Sequence, residues 1–316
     1  MSRSLLDRRL LFVTGKGGVG KSTVAAALAS LAASTGRRTL VCEVDDRGDL
    51  ADFFEAARPG FRPKEVQPGV WAMVMQTEES LQEYLQLQLH LPALGRLGPL
   101  ARMLDFVATA APGVREILTV GKLAWEVREA HYDLVIVDAP SSGHVVGLLT
   151  APKAINELVK VGVVRQQSGW VAELLADPSI TGLVAVTTPE EMPVSETIEL
   201  LARVRTETEV DVAAVVVNQV LPELFSRSDE DVFEQLRDEP SAGVLVSAVG
   251  PSVATVLEGA RLAVSLRRMR AAHLDHLRAA VGPEMAMLYV PYLFVRSHGR
   301  RTTAQVADAL MAEMGE

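Results

Sequence analysis

The sequence predicts an α/β fold built on a doubly wound, mainly parallel sheet with a helical subdomain, and three observations carry that prediction. Short apolar runs recur between longer helical patterns along the 316 residues. Most of these runs are continuous rather than alternating, as strands buried on both faces require. The first run leads straight into a glycine-rich octapeptide and then an Ala- and Leu-rich helix. Strands separated by helices form a parallel sheet, whose ligands sit at the C-terminal strand ends.

The elements follow in order. Residues 10–14 (LLFVT) have strand length, and residues 21–35 (KSTVAAALASLAAST) suit a buried helix. Further strands are predicted at 38–44 (RTLVCEV), 70–75 (VWAMVM), 133–138 (DLVIVD), 181–187 (TGLVAVT), 210–217 (VDVAAVVV) and 286–290 (AMLYV). Residues 77–131 carry Leu81, Leu85, Leu89, Leu94, Leu97, Leu100, Leu104 and Val107. Residues 151–177 add Ile155, Leu158, Val161, Val164, Val171 and Leu174. Both stretches read as amphipathic helices, broken near Pro92 and Pro112. They are placed as a helical subdomain above the ligand site, within one domain spanning 1–316; ordinary helices covering the sheet are the alternative. Residues 252–281 form another long helical pattern, and Arg261, Arg267, Arg268, Arg270 and Arg278 on it read as a solvated face.

Composition narrows the function. Hydrophobic residues make up 48% of the chain, enough for a sizeable core. The formal charge of −9, from 31 basic and 40 acidic residues, argues against a general nucleic-acid binder. The single cysteine, Cys42, excludes an internal disulfide, a Cys-based zinc site and an internally ligated iron–sulfur cluster. It lies in a predicted strand and is expected to be buried and inert. No stretch approaches the roughly 20 apolar residues of a membrane span, and the first apolar run does not read as an export signal. The expectation is a soluble, cytoplasmic protein without repeats or low-complexity linkers.

Residues 15–22 read GKGGVGKS and contain the phosphate-loop pattern G-x-x-x-x-G-K-[ST] as Gly15, Gly20, Lys21 and Ser22. Glycine permits the backbone angles that turn successive N–H groups inward. The amides of Gly17, Gly18, Val19 and Gly20, with the positive end of the following helix, form a cradle for phosphate oxygens. Lys21 is expected to reach the β- and γ-phosphates, Ser22 to ligate Mg²⁺, and Thr23 to touch the α-phosphate. A glycine-rich turn without ligand is the alternative. The octapeptide also holds a second lysine, Lys16, which the loop does not need for its construction.

Two acidic segments complete the site. Residues 134–138 (LVIVD) are an apolar strand ending in Asp138, a carboxylate able to hold Mg²⁺ through water. Residues 139–144 (APSSGH) follow as a switch loop; a cap for the next helix is the other reading of Asp138. Residues 43–54 (EVDDRGDLADFF) crowd Asp45, Asp46, Asp49 and Asp52 into one loop and helix start. Asp45 is assigned to orienting an attacking water. Asp49 and Asp52 read as helix-start acids that favour the macrodipole.

With these motifs the chain resembles the ArsA/Get family of ATPases, within the deviant-loop class that also includes MinD and ParA. The family loop GKGGVGK[ST] matches residues 15–22 outright. The first switch, D-P-A-H-S-L-S-D-x-F, matches at Asp45, Leu50, Asp52 and Phe54 and departs between them. The second switch, D-T-A-P-T-G-H, is similar to Asp138 through His144, with the Ala-Pro pair displaced by one. V-N-Q after a late strand matches Val217-Asn218-Gln219, and the final strand leads into a proline-containing loop at Pro291. The resemblance implies that Lys16 crosses a dimer interface to the partner's nucleotide, as an arginine finger does. It also implies that Asn218 reads the adenine ring and that Pro291 belongs to the adenine loop. The arsenite-site cysteines of the pump members and the Cys-x-x-Cys zinc clasp of the tail-anchored-protein targeting members are missing.

The expected function is a Mg²⁺-dependent ATPase with ATP/ADP as its nucleotide. It acts as a nucleotide-switched homodimer, or as a heterodimer with a related ATPase subunit, that binds and releases a hydrophobic or membrane-protein client. Nucleic acid is not an expected partner. A MinD/ParA-like positioning ATPase is one alternative, although residues 302–316 carry no Lys or Arg for an interfacial helix. A nucleotide-binding interaction protein with little hydrolysis is the other.

Overall fold

A computed structural model of the chain describes residues 5–45, 50–89, 113–223, 226–236, 239–250, 252–295 and 299–315. Among these residues, one sheet contains β1 (Leu10–Gly15), β2 (Thr39–Glu43), β3 (Lys64–Gln67), β4 (Val70–Val74), β5 (Leu134–Asp138), β6 (Thr181–Thr187), β7 (Val212–Val220) and β8 (Met287–Pro291). The helices, in chain order, are α1 (Lys21–Ser34), α2 (Leu50–Phe53), α3 (Thr77–Leu89), α4 (Val114–Arg128), α5 (Ser142–Leu158), α6 (Val163–Ala176), α7 (Glu191–Glu207), α8 (Arg227–Gln235), α9 (Glu239–Val249), α10 (Ser252–Val281) and α11 (Arg300–Met314).

The strand order is β3-β4-β2-β5-β1-β6-β7-β8. Every pairing is parallel except β3 on β4. The chain therefore winds outward in both directions from β1, and the crevice for a ligand opens at the C-terminal end of that strand. All seven predicted strands are present, with ends shifted by up to three residues. Strand β3 escapes the sequence reading because its residues, KEVQ, form no apolar run; it is a short edge strand with partly exposed side chains.

Alternation along each central strand feeds two cores. Leu10, Phe12, Val135, Val137, Leu183 and Ala185 point to one face, where α4, α5, α6, α7 and the C-terminal end of α10 cover them. Leu11, Val13, Leu134, Ile136, Val184 and Val186 point to the other, under α1, α2 and α11. The alanines of α1 explain that second layer. Ala25, Ala26, Ala27, Ala29 and Ala32 are fully buried, and their small side chains let the helix lie close between sheet and α11. Helix α11 buries Val306, Ala307 and Leu310, so the C-terminal segment is part of this core.

One helical expectation is modified. The helix predicted from residue 151 begins at Ser142 and runs through Pro152. Burial of Val145, Val146, Leu148, Leu149 and Ala151 outweighs the hydrogen bond that proline cannot donate. The arginines of α10 lie on a solvated face, where Arg267, Arg268 and Arg270 pair with Glu223, Glu230 and Glu190 at 3.0, 2.6 and 3.2 Å. Pro92, Leu94, Leu97, Leu100, Met103, Leu104, Val107 and Pro112 lie outside the described residues, as do Asp46 and Asp49.

Candidate nucleotide site

Strand β1 ends at Gly15 and α1 begins at Lys21, so the octapeptide forms the predicted strand–loop–helix turn at the centre of the sheet. Gly20 occupies the N-cap of α1 with φ of 94°, and no side chain caps the helix. A Cβ there would meet a left-handed backbone and collide with the Asn218 amide. A helix start without a side-chain cap is the kind of place where backbone N–H groups can face an anion. Gly15 is equally constrained, because a Cβ would run into the carbonyl oxygen of Val186 on β6.

Val19 and Asn218 hold the loop from below. The Val19 side chain is buried in the α1-side core. Its carbonyl accepts a 2.8 Å hydrogen bond from Asn218 Nδ2, while Asn218 Oδ1 accepts from the Gln219 amide at 2.9 Å. Asn218 is buried near the end of β7, where Gln219 adopts φ of 60° and the ladder to β8 shifts register. The geometry therefore shows Asn218 as a brace for the phosphate loop. Pro291 ends the neighbouring strand β8 opposite Val220 and is exposed.

The carboxylates gather on the other side of the loop. Asp138 lies beside Val13 of β1 and Glu43 of β2 in register. Its Oδ2 accepts a 2.6 Å hydrogen bond from Ser22 Oγ, and its Oδ1 is buried without a hydrogen-bond partner. Burial pushes the Asp138 carboxyl up to about 6, against the opposing pull of the Ser22 hydrogen bond and the Lys21 ammonium; the charges of Glu43 and Asp45 push it further up. A buried carboxylate next to two others is a place where a cation relieves strain in the charge balance. The Ser22 hydroxyl and Asp138 carboxylate are hard oxygen donors that suit a small divalent cation, with phosphate and water completing its shell. Among the described residues no group of three His, Cys, Asp or Glu side chains is arranged to hold a metal.

The two lysines are differently placed. Lys21 Nζ lies 3.5 Å from the Lys16 carbonyl, folded over the loop. Lys16 turns toward α7 of the same chain, its Nζ 2.6 Å from Glu196 Oε1. Thr14 Oγ1 donates to the Pro140 carbonyl at 2.8 Å and ties the segment after β5 to β1. His144 is exposed on the first turn of α5, and Cys42 is fully buried with its thiol pushed well up by burial.

Two site carboxylates were not singled out from the sequence. Glu43 ends an apolar strand just as Asp138 does, and that signal was readable. Glu196 sits among Glu190, Glu191 and Glu199 on a helix, and nothing in the sequence marks it.

A second feature lies among α3, α4, α5 and α6, which enclose an apolar cavity of about 280 Å³ lined by Leu81, Ile117, Trp125, Trp170 and Val171 among others. At its edge the Lys122 side chain, 8% exposed, pairs with Glu83 and Glu126 at 2.7 Å each, and Glu126 also meets His131 Nδ1 at 2.7 Å. Burial works against the Lys122 charge, but the two carboxylates outweigh it and hold its pKa above the usual lysine value.

Comparison with known proteins agrees with this geometry. The family model described as anion-transporting ATPase matches residues 8–171 and 164–239. ATPase BagA of Mycobacterium tuberculosis is 35% identical over 225 residues, covering 68% of this chain and 66% of that protein. A putative arsenical pump-driving ATPase of Halobacterium salinarum is 30% identical over 249 residues, 73% of this chain and 38% of that protein. ATPase GET3 of Podospora anserina is 26% identical over 259 residues, 69% and 76% of the two chains. The match to the mycobacterial relative thus spans just under two thirds of its length.

Proposed function

Because the chain belongs to the anion-transporting ATPase family, we propose that it is a Mg²⁺-dependent ATPase whose nucleotide state switches its hold on a protein partner. The observation that carries this reading is the meeting of an uncapped, glycine-built helix start with Lys21, Ser22 and the raised, buried Asp138. A bound Mg²⁺ would draw charge from the β- and γ-phosphate oxygens and favour the leaving of ADP. The chain's own groups do the rest. Amides of residues 17–23 orient the phosphates, Lys21 neutralises charge building on the β- and γ-oxygens, and Ser22 and Asp138 would hold the ion. Asp45, close enough to act on the Asp138 charge, orients water for in-line attack on the γ-phosphorus as the bond to the β,γ-bridging oxygen breaks.

Lys16 supports a dimer reading, in which the ammonium crosses to the nucleotide of a facing subunit, a second copy or a related chain. Asn218 and Pro291, at adjacent strand ends, are assigned to the adenine side of the cleft, with Asn218 bracing the loop as well. The helices α3–α6 are assigned to the partner-binding subdomain, and their apolar cavity favours a hydrophobic client. Among the described residues no helix is long and apolar enough to cross a membrane. The one cysteine, buried in β2, gives no thiol cluster for a soft metalloid.

The direct test is ATP turnover of Lys21→Ala at saturating Mg²⁺. A loss of at least a hundredfold is expected for removing a fixed charge at the transferring phosphate. Unchanged turnover would sink the enzyme claim.

A further inference from the structure

We infer that Glu196 is a positioning residue that holds Lys16 within its own subunit, so that assembly with a second copy of this chain must first free the lysine. This rests on the reading of Lys16 as a residue that crosses the dimer interface. The Lys16 ammonium is 2.6 Å from Glu196 Oε1 and the Ser142 hydroxyl donates to Glu196 Oε2 at 3.4 Å. One carboxylate therefore touches the phosphate loop through one oxygen and the second switch through the other. Its partners lie 180 and 54 residues away in sequence, so only the fold brings the three together.

The contact is a competitor for the crossing position. A single ammonium cannot pair with α7 of its own subunit and also reach the nucleotide of the facing subunit. The partial exposure of the pair, 28% for the Lys16 side chain and 34% for Glu196, keeps the latch weak enough to open. A pair of this kind shifts an equilibrium by about two- to fivefold. In a two-fold assembly both latches open, so the effect is squared to about four- to 25-fold in the dimer dissociation constant. Ser142 gives the latch its sensitivity to nucleotide. It opens α5 four residues after Asp138, so a switch rearranged around a bound cation and γ-phosphate changes the grip on Glu196.

The test uses the full chain with a non-hydrolysable ATP analogue and Mg²⁺, measuring self-association by sedimentation velocity across a protein dilution series. Glu196→Gln is expected to tighten the dimer about four- to 25-fold, and to have no effect in a Lys16→Ala background. In the nucleotide-free protein, acetylation of Lys16 followed by mass spectrometry is expected to run severalfold faster in Glu196→Gln than in the wild type, with Glu196→Asp restoring protection. An unchanged or weaker Glu196→Gln dimer, an equal change in the Lys16→Ala background, or unchanged Lys16 acetylation overturns the inference alone. A wild-type chain that does not associate with nucleotide overturns the crossing-lysine reading and this inference together.

Discussion

Replacing Asp138 by Asn should stabilise the nucleotide-free protein while removing its response to Mg²⁺. The carboxyl is pushed from 3.8 to about 6 by burial, with Glu43 and Asp45 adding to the push and Ser22 and Lys21 opposing it. Its folded pKa lies above the unfolded one, so the folded chain binds more protons between those values. This group's contribution to stability therefore falls as pH rises from about 4 to about 6 and stays low above that. At about 1.4 kcal/mol per tenfold in proton affinity, the gap amounts to about 3 kcal/mol at neutral pH. Asn keeps the shape and can still accept from Ser22 Oγ, so a gain of about 1–3 kcal/mol is expected. With an unfolding entropy of about 2.1 cal/mol/K per residue, the full value corresponds to about 4–5 °C in Tm. The assay is thermal unfolding of both proteins in EDTA at pH 4 and pH 8, repeated at pH 8 with ATP and Mg²⁺. The advantage of the variant should be near zero at pH 4 and full at pH 8, and the Mg²⁺-dependent part of the nucleotide stabilisation should be lost. A variant that is less stable at pH 8, or equally favoured at both pH values, would refute the charge-strain account of this site.

Two further outcomes follow from the same geometry. Asn218→Ala leaves the Val19 carbonyl without its donor and should cost about 1–3 kcal/mol by denaturant unfolding, together with weaker nucleotide binding; a fully stable variant with normal binding would show that the loop needs no brace. Lys122→Ala leaves Glu83 and the buried Glu126 without their shared cation and should cost about 3–5 kcal/mol by denaturant unfolding; unchanged stability would show that the lysine does not compensate the two carboxylates.

The strands and the loop were legible because they depend on local rules. Continuous apolar runs mark buried parallel strands, and GKGGVGKS states its own backbone requirements in its glycines. Edge strand β3 was not legible, since a polar edge strand exists only by pairing with β4. The start of α5 was not legible either, because residues 142–150 are drawn into the helix by burial of Val145, Val146, Leu148 and Leu149 against the sheet. Glu43 was visible as a strand-end carboxylate, yet its importance follows from lying in register with Asp138 on the adjacent strand.

The sequence by itself determined seven of the eight described strands, the glycine-rich loop, Lys21 with Ser22, and the strand-end Asp138, because each is a short segment whose chemistry and backbone demands are local. Only the tertiary structure decided that Asn218 braces Val19, that Glu43 and Asp45 raise the cost of the Asp138 charge, and that Glu196 takes Lys16. Those are encounters between residues far apart in the chain, fixed by strand order and helix packing, and no local pattern encodes a partner that the fold alone brings within 3 Å.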